Sequence, residues 1–386
     1  MKNIEKTLQN ILAFWTDRMT DQEHCGFYGR RDGKGRLYPT ADKGAVLNAR
    51  ILWSFAAAYR VLKRKEYRDA AMRTKRYFID HFIDKEYGGV YWSVDYMGRP
   101  RDTKKQTYAI GFAIYGLSEL YRATGDEEAL LWAQQLYKDI EQHTFDAYNT
   151  GYVEALTREW RPIDDMRLSE KDMNASRTMN THLHIMEPYT NLLRVWNDEE
   201  LAARLHTLLH IFTKKLFNTE THHLGLFFDD AWKPLDKGIE SYGHDIEASW
   251  LMDEAAAVLG CGPTNESLLI GMAAADGLQD DGSMIHEACP ATGTIDDDRV
   301  WWVQCENIIG QYNLFQRTGD DQYRQYAERC WDYTCQHLID TVEGEWFWSI
   351  CGDGTVNRND DKAGPWKCPY HNTRLCIEMM ERIGNK

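Results

Sequence analysis

Positive charge is in short supply. Lys and Arg number 45 against 60 Asp and Glu, leaving a net charge of −15 over 386 residues. No basic stripe runs along any segment, so a nucleic-acid partner is not expected, and anionic membranes are disfavoured. No apolar run approaches the roughly 20 residues that span a bilayer. The opening Met1-Lys2-Asn3-Ile4-Glu5 begins a polar amphipathic helix and lacks the apolar region of a signal peptide. The nine cysteines form no CxxC pair, and Cys305, Cys330 and Cys376 fall inside helical patterns. This usage reads as reduced thiols in a cytoplasmic protein. There is no zinc motif. His182 and His184 are two apart, which on a helix turns them about 200° from each other, a poor metal pair. No metal and no cofactor are expected. Pro- or Ser-rich linkers and low-complexity tracts are also missing, so one domain spanning 1–386 is expected.

What the chain does have is aromatic residues and a repeat. Fourteen Trp and 21 Tyr exceed what core packing requires. Such a surplus suits either an aromatic core or a cleft whose rings receive the C–H faces of sugars. A glycine-aromatic motif recurs as Gly26-Phe27-Tyr28-Gly29, Gly88-Gly89-Val90-Tyr91-Trp92, Gly151-Tyr152-Val153-Glu154 and Gly225-Leu226-Phe227-Phe228. It returns weakly as Gly282-Ser283-Met284, and then as Gly344-Glu345-Trp346-Phe347-Trp348. The intervals of 62, 63, 74, 57 and 62 residues mark an internal repeat, each copy a short strand or hairpin after a helix.

Between the copies lie paired helical patterns at about 3–18, 40–63, 66–83, 107–124, 126–144, 178–197, 198–216, 240–259, 262–279, 299–318, 320–339 and 368–384. Thr124-Gly125-Asp126, Asn197-Asp198 and Thr318-Gly319-Asp320 put a helix stop next to an N-cap. The even-numbered helices, such as Ile51–Ala58 and Ile110–Leu117, are apolar nearly all round, and the odd ones are amphipathic. Six inner helices inside six outer ones explain both patterns. The expected fold is all-α, an (α/α)6 barrel with short β-hairpins in the connections; an open α-solenoid is the alternative. The longest irregular stretch, roughly 155–177, contains Asp172 and reads as a functional or mobile loop.

Polar residues interrupt the inner helices at similar places: Arg50, Tyr108, Asn180 with His184, His244 with Glu247, Trp302 with Glu306, and His371. In a toroid these converge on one rim of the central cavity, and unpaired polar groups buried there for no purpose would be costly. His244 and Glu247 are three apart and share a helix face, so the carboxylate is expected to hold the imidazole as a general base. Taken singly, each residue has a plainer reading: caps for His244 and Glu247, a structural ion pair for Arg50, core aromatics for Tyr108 and Trp302, a satisfied core histidine for His184. Three histidines, an arginine, two carboxylates and aromatic walls suit proton transfer next to a carbonyl. Two histidines on opposite faces of an intermediate would invert a stereocentre.

At these residues the chain resembles the N-acylglucosamine 2-epimerase superfamily, and within it the branch that acts on disaccharides. The stretches that carry the likeness are Ala41–Gly44 through Arg50–Trp53, Tyr87–Trp92, Met179–His184, Ser241–Trp250, Val300–Glu306 and Gly364–Asn372. The resemblance implies an (α/α)6 barrel and metal-free epimerisation at C2 of a reducing-end glucose. It implies that His244 and His371 form the acid/base pair and that His184 assists near the anomeric or ring oxygen. Arg50 and Asn180 would bind the O1/O2 region, while Glu247 and Glu306 orient histidines and hydroxyls. Trp302 and Trp366 would stack on the sugar rings, Tyr108 and Asp172 would help close the site, and Trp250 is placed with the substrate-binding residues.

The expected activity is conversion of cellobiose to 4-O-glucosyl-mannose, with lactose or mannobiose as further substrates. The expected protein is a cytoplasmic monomer or weak homodimer whose partner is a small-molecule disaccharide. A mannose aldose–ketose isomerase and an N-acylglucosamine epimerase are the alternatives within the superfamily. A glycoside hydrolase on the same barrel would need two carboxylates facing one bond, and Asp245 and Glu247 cannot both face the cavity from one helix. A non-catalytic interaction toroid is the remaining reading.

Overall fold

Twelve helices organise the chain, and the computed structural model describes residues 1–384. They are α1 (Ile4–Arg18), α2 (Ala45–Leu62), α3 (Lys65–His81), α4 (Thr107–Thr124), α5 (Glu127–His143) and α6 (Met179–Leu193). The second half comprises α7 (Glu199–Ile211), α8 (Tyr242–Val258), α9 (Asn265–Ala273), α10 (Trp301–Thr318), α11 (Asp321–Tyr333) and α12 (Tyr370–Gly384). The stop-and-cap turns at 124–126 and 318–320 form as read, whereas at 197–198 only the cap does, because α6 already ends at Leu193. Gly125 and Gly319 end α4 and α10 at positive φ, and Asp126, Asp198 and Asp320 accept backbone N–H bonds at the starts of α5, α7 and α11.

The even-numbered helices form the inner ring. Each packs on the next, and α12 packs back on α2, so the ring is a closed toroid and not an open solenoid. The odd-numbered helices lie outside: α3, α5, α7, α9 and α11 each pack on the inner helix before them, and α1 packs on α12. Burial follows. Every residue of α2 from Ala45 to Ala58 is buried, whereas α3 buries one face. A hairpin bridge follows each outer helix, at Thr20–Phe27, Ile83–Val90, Phe145–Tyr152, Phe217–Leu224, Leu278–Met284 and Ile339–Trp346. The weak fifth sequence motif therefore belongs to a complete repeat.

Several boundaries differ from the sequence expectation. The pattern from residue 40 becomes helical only at Ala45, because Lys43–Gly44 pairs with Ser93–Val94 as a short strand. Here the side chains, not propensity, decide. Lys43 is fully buried and reaches back to Asp21 at 2.7 Å, Lys105 reaches Asp84 at 2.9 Å and Arg177 reaches Asp146 at 2.5 Å. Each cation sits just before an inner helix and fastens it to a hairpin of the preceding repeat. The entry to α8 carries Glu240 in that place, and the tie is made instead by Asp245, which bonds His223 Nδ1 at 2.7 Å and the Leu224 N–H at 3.0 Å. Among the described residues no helix is long and apolar enough to cross a membrane.

The inner helices approach closely where side chains are small. Pro188 lies inside α6 and has no N–H, so the His184 carbonyl lacks its intrahelical partner. Gly111 of α4 packs against that carbonyl, and a Cβ at position 111 would lie 2.4 Å from the oxygen. Gly111→Ala is therefore expected to push α4 from α6, costing about 1–3 kcal/mol as overpacking does. Urea denaturation checks this; an unchanged midpoint would contradict the close-packed contact.

Candidate active site

The N-terminal turns of the inner helices meet at one end of the ring, and the polar exceptions sit there in two tiers. The second or third residues of α4, α6, α8, α10 and α12 are Tyr108, Asn180, His244, Trp302 and His371. One turn further in, the sixth residues of α2, α6, α8 and α10 are Arg50, His184, Glu247 and Glu306. The helix period sets this arrangement, since residues three or four apart stack on one face. Helix N-termini also carry partial positive charge, which favours an anion in the space between them.

The inner tier is an ion network centred on Arg374 of α12, a buried residue that the sequence reading passed over. Its guanidinium bonds Glu187 and Glu247, and reaches Glu306 at 2.7 Å. Tyr370 also donates to Glu187. Two of the three carboxylates back a histidine: Glu306 Oε1 lies 2.7 Å from His371 Nδ1, and Glu187 Oε2 lies 3.0 Å from His184 Nδ1. A carboxylate on Nδ1 holds the proton there and leaves Nε2 bare, the tautomer of a base.

His244 departs from the expected pairing. Its Nδ1 lies 2.7 Å from Ser241 Oγ, and Glu247 turns to Arg374 instead. The shared helix face was read correctly, but Arg374 is the stronger partner for a buried carboxylate. Trp250 is also corrected. Its indole N–H donates to Glu306 Oε2 at 3.1 Å and its ring packs on Arg374, so it supports the floor from beneath instead of receiving a sugar.

The upper tier is aromatic. Trp302 has its ring centroid 4.7 Å from His244 and 5.7 Å from His371, so one indole stands beside both imidazoles. Gly243 makes room for it: a Cβ there would meet the Trp302 ring at 2.8 Å. On the other side Trp366 lies 6.0 Å from both Tyr108 and Trp92. Arg50 donates to the Tyr108 hydroxyl at 2.8 Å and lies 4.2 Å over the Phe112 ring. Asp172 sits on the 155–177 loop, where its carboxylate accepts from the Ser169 N–H at 2.9 Å. Buried polar atoms left without partners among the described residues include Arg50 Nε, Asn180 Oδ1 and Glu247 Oε2. Two of these are acceptors of the kind that receive sugar hydroxyls. His182, by contrast, is structural: Nδ1 lies 2.7 Å from the Thr178 carbonyl and Nε2 accepts from the Tyr152 N–H.

Burial and neighbouring charge set the protonation states. Burial, with His184 and His286 nearby, drops His244 to about 3. Burial, with Arg50, Arg374, His184 and His244, holds His371 well below the ordinary imidazole range. Both rings are neutral in the free site. Burial raises Glu187, but Arg374 and His184 outweigh it and bring that carboxyl to about 2. Burial lifts Glu306 to about 6 against the pull of Arg374, and burial together with Glu306 lifts Glu247 to about 7. Ligand atoms of Glu247, Glu306 and His371 lie within 4.8 Å of one another. Arg374 already binds both of those carboxylates, so a metal ion would have to share them with a fixed cation.

The missed residues carried a faint signal. Glu187 and Arg374 each lie three residues after a site histidine, on helices otherwise nearly all buried.

The chain as a whole is similar to known proteins. The model of the N-acylglucosamine 2-epimerase (GlcNAc 2-epimerase) family matches residues 26–374. The chain belongs to that family. It is 58% identical to a cellobiose 2-epimerase of Bacteroides fragilis over 96% of this chain and 95% of the relative. It is 42% identical to a cellobiose 2-epimerase of Ruminococcus albus over 98% and 97%. The solved cellobiose 2-epimerase of Bacillus thermoamylovorans superposes with a TM-score of 0.94 at 41% identity, covering 98% of each chain.

The protonation states lead to a pH dependence. Glu306 is ionised above about 6 and accepts the His371 Nδ1–H; below that it takes a proton and the acceptor is lost. The kcat/KM for a sugar substrate is therefore expected to fall as pH drops through about 6. Glu306→Gln should remove that limb together with most of the activity. A wild-type profile flat between about pH 5 and about pH 8 would contradict the role given to this carboxylate.

Proposed function

We propose that this chain epimerises C2 of the reducing-end glucose of β-1,4-linked disaccharides, converting cellobiose to 4-O-glucosyl-mannose and acting also on lactose or mannobiose. The observation that carries the reading is the pair of neutral imidazoles, His244 and His371, both beside one indole, Trp302. The named activity of the relatives supports the choice of cellobiose.

Ring opening exposes an aldehyde, which acidifies the hydrogen on C2. One imidazole removes that hydrogen as a proton, and the negative charge moves to O1 of a cis-enediolate. Arg50 meets this oxygen with a guanidinium that burial disfavours but that Tyr108, Cys368, Tyr370 and Glu247 hold firmly charged. The inner-helix N-termini add positive potential in the same place. Rotation about C2–C3 turns the other face toward the second imidazole. The first ring releases its proton to solvent, the second takes one from solvent while the enediolate is present and delivers it to C2, and the sugar ring closes. His371 keeps its reactive nitrogen through Glu306. His244 is held by a serine hydroxyl, which can donate or accept, so either tautomer is open to it. His184 with Asn180 serves the O1 and ring-oxygen side, and Trp366 receives the outer sugar.

Hydrolysis finds less support. Asp245 is turned away to His223, and Glu247 and Glu306 are both tied to Arg374 on one side of the cavity.

NMR analysis of products from cellobiose tests the reading. The expected product is 4-O-glucosyl-mannose with no free glucose. Released glucose would favour a hydrolase, and a ketose as the sole product would favour an isomerase.

A further inference from the structure

The ring of polar residues at the cavity mouth has a gap on α2. The second residue is Tyr108 in α4, Asn180 in α6, Trp302 in α10 and His371 in α12, and α8 puts Gly243 there and His244 next. In α2 that place is held by Val46. The residue just before the helix is Gln106, Thr178, Ser241 and Val300 in α4, α6, α8 and α10, but Gly44 in α2. Nothing in the backbone calls for glycine at 44. Its φ of −83° and ψ of 144° suit any residue. An added Cβ would come no closer than 3.9 Å to any atom beyond its chain neighbours, an ordinary contact. A side chain is missing where one would fit.

The space beside it is a cavity of about 200 Å³. Gly44 and Val46 line it on the α2 side, Trp92 and Trp366 supply indole walls, and Asp42 and Ser93 form a polar edge. Trp366 joins this cavity to the catalytic floor. Its ring lies 6.0 Å from Trp92 and 6.0 Å from Tyr108, whose hydroxyl accepts from Arg50. Val46 and Arg50 are four apart on α2 and stack on one face, so the cavity lies outward of the Arg50 guanidinium. Indole walls with a polar edge suit a pyranose, whose C–H face rests on an aromatic ring while its hydroxyls meet polar groups. We propose that the Gly44–Val46 edge of α2 is a specificity-determining surface: by carrying no bulk, it keeps open the seat between Trp92 and Trp366 in which the outer, non-reducing sugar binds. The proposal rests on the reading above that the reducing unit occupies the floor and the outer unit meets Trp366.

The test fills the cavity from α2, in Gly44→Phe and Val46→Phe separately. Each variant is titrated by Trp fluorescence with two inert ligands: cellobiitol, the disaccharide alcohol that lacks an aldehyde, and glucitol, its reducing-end part alone. Gly44→Phe is expected to weaken cellobiitol about tenfold or more, as loss of a buried sugar ring would, and to leave glucitol unchanged. Val46→Phe should act in the same direction. Val46 is 3% exposed, so its enlargement can strain the helix; if that variant does not fold, Gly44→Phe, at a half-buried and unstrained position, decides alone. Unchanged cellobiitol affinity in Gly44→Phe would overturn the proposal, and so would an equal loss for both ligands. Failure of the underlying reading shows separately, as a wild-type protein that makes no C2 epimer from cellobiose.

Discussion

A single buried guanidinium holds the floor of this barrel together. Arg374 of α12 binds Glu187 of α6, Glu247 of α8 and Glu306 of α10, so one cation ties four of the six inner helices. Burying a charge is expensive, and breaking such a pair leaves an uncompensated ion at a cost of about 3–5 kcal/mol. One cation cannot neutralise three carboxylates, and the strain falls unequally. Glu187 stays ionised at about 2, while Glu306 and Glu247 are lifted to about 6 and about 7. Near neutral pH the network therefore keeps the carboxylate behind His371 charged, and Glu247 is the carboxylate that takes a proton most readily.

The rest of the site follows from that floor. Carboxylates on Nδ1 set the tautomers of His371 and His184, and burial keeps His371 and His244 neutral. The remaining inner helices, α2 and α4, close the ring through Arg50 and Tyr108, which place the second cation above the floor. Charge lies one helical turn deep and aromatic rings lie at the rim. In the proposed reaction a sugar on the rings would present its hydroxyls and C2 downward to the charged groups. Gly111 and Gly243 keep the helices and Trp302 close enough for that depth to be held.

Much of this was legible in the sequence, for physical reasons. Hydrophobic period separates inner from outer helices, because a helix apolar all round must be buried on all sides. The repeat supplies the number of units, and polar residues recurring at one place in each unit mark the rim. Partner choice was not legible. The spacing of His244 and Glu247 places both on one face of α8, yet each bonds a group that helix geometry does not specify: Ser241 before the helix, and Arg374 on α12. Trp250 shares a motif with His244 but faces the opposite way, toward Glu306 and Arg374. The late start of α2 escaped for the same reason. The Lys43–Asp21 tie joins positions 22 residues apart and overrides local helix preference.

The central claim is that two different imidazoles, His371 tied to the Arg374 floor through Glu306 and His244 held by Ser241, act on opposite faces of one enediolate. Turnover of cellobiose in D2O tests it most directly, read by NMR at C2 in wild type and in His244→Asn and His371→Asn. The account predicts one deuterium at C2 of the wild-type product. Each variant should lose net epimerisation by two or more orders of magnitude, and one of them should still exchange C2 hydrogen in unepimerised cellobiose. A wild-type product free of deuterium, or either variant epimerising near the wild-type rate, would contradict it.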